Sequence, residues 1–258
     1  MDRCDSTMAI GRNPHVLIVA GSDSSGGAGI ARDIETVSAI GLRTCLAVTA
    51  VTVQTHHFVE RIEYPDPDLV AAQMRAALAS NNVATIKIGM LGTVGNIEAV
   101  ASVLSEYPPV PAILDPVLAS SSGRPLLAEE AIETLKTRLM PLCSLVTPNL
   151  PELAMLVGAR QAMNEAEALR QGGILLDLGL SALLIKGGHS TGADSIDLLL
   201  RSDKSFAGFA SPRLAGEMRG TGCMLASAIA AYQAYGETLE NSVRQAKQYV
   251  FERYRLVV

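Results

Sequence analysis

The chain has no tryptophan, and phenylalanine and tyrosine together bring its aromatic content to only 4%. A single-strand nucleic-acid binder needs stacking platforms, and so few rings cannot supply them. No block of clustered Lys and Arg occurs either, and the net charge of −5 leaves no electrostatic footprint for a polyanion. Four cysteines, Cys4, Cys45, Cys143 and Cys223, lie far apart with no Cys-x-x-Cys pair, so their spacing supplies no zinc site and suits reduced thiols. No stretch reaches membrane-spanning length without a charge, Gly or Pro, and the first 13 residues lack the continuous apolar segment of a secretory signal. The expectation from these absences is a cytoplasmic protein with neither a membrane nor a nucleic-acid partner.

What is present is core-forming material. Of 258 residues 48% are apolar and 18% charged, which excludes disorder for the bulk of the chain. Residues 1–13 lack periodicity and are expected to form a disordered tail. Residues 15–20 are wholly apolar, the mark of a strand buried on both faces. A glycine-rich turn at 21–29 and a helix pattern to Ile40 follow. The same rhythm then repeats. Strands are expected at 44–51, 58–63, 85–88, 111–115, 145–147 and 182–186. Helices are expected at 65–80, 94–105, 129–139, 150–157, 165–178, 221–235 and 239–255. Residues 196–200 and 206–211 read as an antiparallel pair. Alternation of buried strands with helices predicts a three-layer α/β/α sandwich around a mainly parallel sheet, as one domain over residues 14–258.

One stretch near the end organises the reading: Arg219-Gly220-Thr221-Gly222-Cys223, directly before an apolar helix pattern. Two glycines at a helix start let several backbone N–H groups converge on one point, where the helix dipole favours an anion. Cys223 would hang its sulfur beside that anion, and a helix N-terminus is expected to lower its pKa. Alone, the pattern also fits a plain turn and cap. Its company raises its standing, because ligands of such sheets bind beyond the carboxyl ends of the strands. Those ends deliver Asp23 and, a helical turn on, Asp33; then Gln54, Met90, Asp115, Asn149 with Glu152, and Lys186 with His189. Carboxylates near an anion cradle suggest Mg²⁺, and a lysine offers a point charge to phosphate oxygens. The turn at 21–29 keeps neither the dinucleotide G-x-G-x-x-G spacing nor the Walker A pattern. His56-His57 could be a metal pair, but adjacent side chains of an extended chain point apart, and a solvated lid loop at 54–59 is the better reading.

Six stretches, AGSDSSGGAGIARD, KIGML, LDPVL, TPNLPE, LIKGGH and RGTGC, occur in the order and approximate spacing of a known family. Over about residues 15–250 the chain resembles the bacterial hydroxymethylpyrimidine/phosphomethylpyrimidine kinases of thiamine biosynthesis, which have the ribokinase-like fold. The resemblance implies ATP- and Mg²⁺-dependent phosphorylation of 4-amino-5-hydroxymethyl-2-methylpyrimidine and then of its monophosphate. It implies that Gln54 reads the pyrimidine edge, that Gly21 and Asp33 help hold the ring, and that Met90 and Val117 give apolar contact. Asp115, Asn149 and Glu152 would surround Mg²⁺, while Lys186, Asn149, His189 and Thr221 would meet the nucleotide. Gly220, Thr221 and Gly222 would form the anion hole, with Cys223 as the base. A homodimer is implied as well. Three positions depart from the family pattern: Arg219 stands where a His is usual, Ser121 where a Lys is often found, and Met224 replaces a common Thr. Arg124 could substitute for that Lys. A pyridoxal or pyridoxine kinase on the same scaffold, and a non-catalytic thiamine-precursor binding protein, are the alternatives.

Overall fold

Val16 to Ala20 alternate strictly between two cores. Leu17 and Val19 join one apolar cluster, and Val16, Ile18 and Ala20 join the other. A strand can be apolar at every position only if both faces are covered, so this short run already demands a layer on each side. In the computed structural model, which describes residues 14–120, 123–187, 193–216 and 218–257, that demand is met. In chain order the elements are β1 (His15–Asp23), α1 (Gly29–Ala39), β2 (Arg43–Gln54), β3 (Val59–Glu63), α2 (Pro67–Ser80), β4 (Val83–Ile88), α3 (Val94–Glu106), β5 (Ala112–Leu114) and α4 (Ala131–Thr134). They continue as β6 (Leu145–Val146), α5 (Leu150–Val157), α6 (Glu165–Leu176), β7 (Ala182–Ile185), β8 (Asp194–Arg201), β9 (Phe206–Pro212), α7 (Thr221–Ala234) and α8 (Leu239–Arg255).

The strands form one nine-stranded sheet in the order β3-β2-β1-β4-β5-β6-β7-β8-β9. Pairing is parallel from β2 through β7 and antiparallel only at the two edges. Helices α2 to α6 pack on one face and α1, α7 and α8 on the other, giving the three layers expected. Each large side chain fully buried in these cores contributes roughly 1.5–3 kcal/mol. The chain leaves β1 toward β2 on one side and later returns to β4 on the other. That is the switch point at which such sheets open a crevice.

Two local differences from the sequence expectation have physical causes. The helix expected at 129–139 is regular only in α4; residues 135–139 widen to a π turn in which the Met140 N–H reaches back to the Leu135 carbonyl. Pro141 follows, and without an N–H it cannot extend an ordinary ladder. β1 and β2 run on to Asp23 and Gln54, past the ends expected for them, with a register shift at Ala20/Gly21. Irregularities of this kind re-aim side chains at the edge of a site.

Candidate active site

Four backbone hydrogen bonds step across the carboxyl ends of the parallel strands. The Gly89 N–H donates to the Val19 carbonyl, Asp115 to Ile88, Thr147 to Leu114 and Lys186 to Pro148, each at 2.8 Å. This staircase brings the strand-end residues to one level. Above it lies a cavity of about 860 Å³.

At the centre, Lys186 Nζ lies 2.6 Å from Asp115 Oδ1 and 3.7 Å from Glu152 Oε2, with only 12% of its side chain exposed. Burial alone would lower the lysine's pKa, but the charges of Asp115 and Glu152 outweigh it and hold the ammonium protonated. Glu152 moves the other way. Burial, reinforced by the Asp115 charge, pushes it up to about 7 against the pull of Lys186. Asn149 and Glu152 also form a reciprocal cap at the start of α5: Glu152 N–H donates to Asn149 Oδ1 and Asn149 N–H to Glu152 Oε2, both at 2.8 Å. The cap that starts this helix therefore also fixes the carboxylate beside Lys186.

The start of α7 meets this cluster from the opposite face. A Cβ at Gly222 would lie 3.2 Å from Lys186 Nζ and 3.5 Å from Asp115 Oδ2, so the first turn approaches the ion pair closely. Gly220 caps the helix at φ +75°, and a Cβ there would meet the Gly27 carbonyl at 2.4 Å. Only glycine serves at such a position, because a side chain would be strained and would collide with backbone. The two glycine turns therefore interlock, and the first turn of α7, whose N–H groups have no carbonyl four residues back within the helix, lines the cavity between them and Lys186.

Cys223 follows in that turn, partly exposed. Its acidity reverses the sequence expectation. Burial pushes the thiol up to about 11, with Lys87 pulling down and Asp33 and Asp115 pushing further up. Desolvation of a thiolate among carboxylates outweighs the help of the helix terminus.

The residues expected to meet the pyrimidine, Gly21, Gln54, Met90 and Val117, line the same cavity. Gln54 is placed by the end of β2 and clipped to the glycine turn, its N–H donating to Ser24 Oγ at 2.8 Å and Ser24 Oγ–H to its carbonyl at 2.9 Å. Asp33 is not part of this lining. It lies beneath the floor with 0% exposure, paired at 2.8 Å with an equally buried Lys87 and accepting from Ser227 Oγ at 2.7 Å. A carboxylate with no exposure, turned toward Lys87 and Ser227, does not face a ring held in the cavity. Arg124 donates to the Val59 and Glu60 carbonyls at the root of β3. His189 and Ser121 lie outside the described residues.

Lys87 is the residue that the sequence reading passed over. It sits fully buried directly under the cavity, and burial, which disfavours its charge, is overcome by Asp33, Cys223 and Asp115, so the ammonium is held. A signal was available: one lysine flanked by Ile86 and Ile88 in a buried strand.

Among the described residues no cluster of three or more His, Cys, Asp and Glu could by itself hold a metal. Asp115 and Glu152 nevertheless converge on one cation, Lys186. Two carboxylates with room for phosphate and water are what Mg²⁺ takes in a nucleotide site, so the residues fit that ion. Asn149 Oδ1 is engaged in the helix cap, and Nδ2 makes no hydrogen bond among the described residues. Its available group is thus a donor, suited to phosphate.

A family profile described as phosphomethylpyrimidine kinase matches residues 23–256. A hydroxymethylpyrimidine/phosphomethylpyrimidine kinase of Salmonella typhimurium is 42% identical over 233 residues, covering 88% of this chain and 87% of that protein. Among solved structures, a phosphomethylpyrimidine kinase of Clostridium difficile superposes with a TM-score of 0.82 at 34% identity, covering 93% of this chain and 99% of that one. The pyridoxal kinase of Staphylococcus aureus in complex with AMP-PCP and pyridoxal gives 0.82 at 28% identity, covering 92% and 86%.

Proposed function

The chain belongs to the phosphomethylpyrimidine kinase family, and from that premise we propose that it phosphorylates 4-amino-5-hydroxymethyl-2-methylpyrimidine, then the monophosphate, from ATP, as a single kinase domain of thiamine biosynthesis. One observation carries the reading: the Gly220–Gly222 turn approaches the Lys186–Asp115 pair, with Cys223 next in the chain. Phosphoryl transfer asks mainly for positioning and for charge stabilisation along the line of attack. Lys186 and the α7 N–H groups face the transferred phosphoryl group, and Asn149 Nδ2 donates to the nucleotide phosphates. Asp115 and Glu152 would hold Mg²⁺, which would supply neutralising positive charge to the nucleotide phosphates. Gln54, able to donate and accept through one amide, reads the pyrimidine edge between the Gly21 backbone, Met90 and Val117.

In the first transfer the hydroxyl oxygen attacks the γ-phosphorus, the bond to the bridging oxygen of ADP breaks, and the hydroxyl proton passes to Cys223 Sγ. A thiol at about 11 supplies little thiolate at neutral pH, but the thiolate that forms is a strong base. The second acceptor is a phosphate, already anionic, and needs no such base. We propose further that it acts as a homodimer in the cytoplasm, where ATP is at hand; light scattering of the purified protein reads its assembly state.

The test is ATP consumption with hydroxymethylpyrimidine against pyridoxal, with mass detection of the phosphorylated products. Mono- and diphosphate of the pyrimidine are expected. Preferential turnover of pyridoxal would favour the alternative kinase, and tight binding of the pyrimidine without turnover would favour a binding protein.

A further inference from the structure

Arg219 stands one residue before the Gly220 turn, and its side chain reaches across the mouth of the cavity with 22% exposure. Nη1 lies 3.0 Å from Ser25 Oγ, 3.3 Å from the Thr55 carbonyl and 3.3 Å from His56 Nδ1. Nη2 lies 3.4 Å from Asp23 Oδ2. One guanidinium thus touches the glycine turn and the segment after β2, while its own backbone leads into the turn that faces the transferred phosphoryl group. Gly27 leaves room for it: a Cβ there would stand 3.1 Å from Nη1.

Residues 55–58 have few other ties. Their recorded hydrogen bonds close a local turn, from Thr55 N–H to the Phe58 carbonyl at 3.0 Å and from the His57 and Phe58 N–H groups to Thr55 Oγ1 at 3.2 Å. Phe58 is 54% exposed, so apolar packing does not hold this strap down. The clip between Ser24 and Gln54 fixes its near end, and Arg124 fixes the start of β3 beyond it. Between those two points the connection runs through Arg219. Three of its four contacts, at 3.3–3.4 Å, are longer than an ordinary hydrogen bond, and only the one to Ser25 Oγ is not. Such contacts hold a closed position and release it readily.

We propose that Arg219 is a positioning residue that latches the strap over the pyrimidine pocket and couples its closure to the anion turn. The idea rests on the functional reading above, which assigns the pyrimidine to the Gln54 end of the cavity. Arginine suits the task because its planar fork offers several donors at fixed angles, whereas lysine offers a single flexible ammonium. Closing the strap keeps water from the transfer centre, as lids of transferases do.

Hydrogen exchange of the unliganded protein tests the latch without reference to activity. Arg219→Ala should speed exchange at residues 55–58 and 24–27 by roughly tenfold, the scale expected for losing a small set of weak hydrogen bonds, and leave β4 to β7 unchanged. In the kinase assay it should raise KM for the pyrimidine by a similar factor with KM for ATP unchanged. It should also raise the ATP hydrolysed per pyrimidine phosphorylated. Arg219→Lys should restore part of each effect. His56→Ala, at an exposed position, should show the same leak in weaker form and add little in the double variant, which keeps the test open should Arg219→Ala fail to fold. Unchanged exchange at 55–58 in Arg219→Ala, or in His56→Ala if that variant alone is available, would overturn the latch. So would a normal ratio of ATP to product together with a normal pyrimidine KM. If the wild type turns over no pyrimidine, the functional reading fails, and the exchange result still decides the latch.

Discussion

Replacing Lys87 with methionine removes one charge from the interior of the sheet while keeping most of the side-chain volume. Lys87 and Asp33 are 2.8 Å apart and both have 0% exposure. Removing one partner of a buried pair typically costs about 3–5 kcal/mol, because the other charge is left without compensation. Burial already pushes the Asp33 carboxyl up, with the attraction and hydrogen bond of Lys87 as the main opposing influences. Without Lys87 the carboxyl rises further and takes up a proton. A carboxyl whose folded pKa exceeds its unfolded value destabilises the fold progressively as pH rises from the unfolded value, about 3.9, toward the folded one. At pH 8 the variant should therefore show its full deficit, and at pH 5 a smaller one. In the wild type Asp33 moves the same way over a narrower pH range, because Lys87 opposes its rise. For a chain of this size the deficit corresponds to a loss of roughly 6–20 °C in Tm. Without tryptophan, far-UV circular dichroism during thermal and urea unfolding is the suitable readout. Adding Asp33→Asn to Lys87→Met should recover part of the loss, because both charges are then gone. A deficit below about 1 kcal/mol at pH 8, an equal deficit at pH 5 and pH 8, or a double variant weaker than the single one would refute the reasoning.

Other outcomes follow from the same geometry. Cys223→Ala should slow the first phosphorylation roughly 100-fold, the lower range for a lost general base, and the second by far less; equal losses with the two pyrimidines assayed separately would remove the base from the mechanism. In the wild type the first transfer should quicken with pH through and above neutrality, as expected for a thiol near 11. The second should level off once the acceptor phosphate, with a pKa of about 6, is ionised. Gln54→Leu should raise KM for the pyrimidine roughly tenfold or more while leaving Tm nearly unchanged, read by steady-state kinetics and thermal unfolding side by side. Glu152, pushed up to about 7 by burial, costs the fold stability as pH rises from its unfolded value toward 7. Glu152→Gln should flatten that part of the Tm–pH profile and weaken nucleotide binding in the presence of Mg²⁺.

Much of the fold was legible because its signals are local. An apolar run in β1, a glycine-rich turn and a helical period need only neighbours in sequence, as does the hairpin of β8 and β9. The strand-end rule also drew Gln54, Met90, Asp115, Asn149, Glu152 and Lys186 together before any coordinates, and all of them line one cavity. The rule works because a parallel sheet aligns its carboxyl ends by backbone hydrogen bonding, whatever the side chains are. It misjudged Asp33, whose place in α1 one turn beyond the glycine loop turns its carboxylate into the floor toward Lys87. It missed Lys87 because a strand residue reads by its face, and the partner that permits a buried lysine lies 54 residues away.

The acidity of Cys223 shows the same division. A thiol in the first turn of a helix behind two glycines is written in the chain, and so is the need for glycine in that turn. Helix geometry made the dipole's influence predictable in sign. The outcome came from the packing of distant segments, which surrounds the sulfur with Lys87, Asp33 and Asp115 in a desolvated floor. Arg219 follows suit: its place before Gly220 is a fact of sequence, but its contacts lie 163 to 196 residues away. Periodicity, caps and turns are set over a few residues of chain. Desolvation and charge pairing depend on which distant segments the sheet brings within a few ångströms, and no local pattern encodes that.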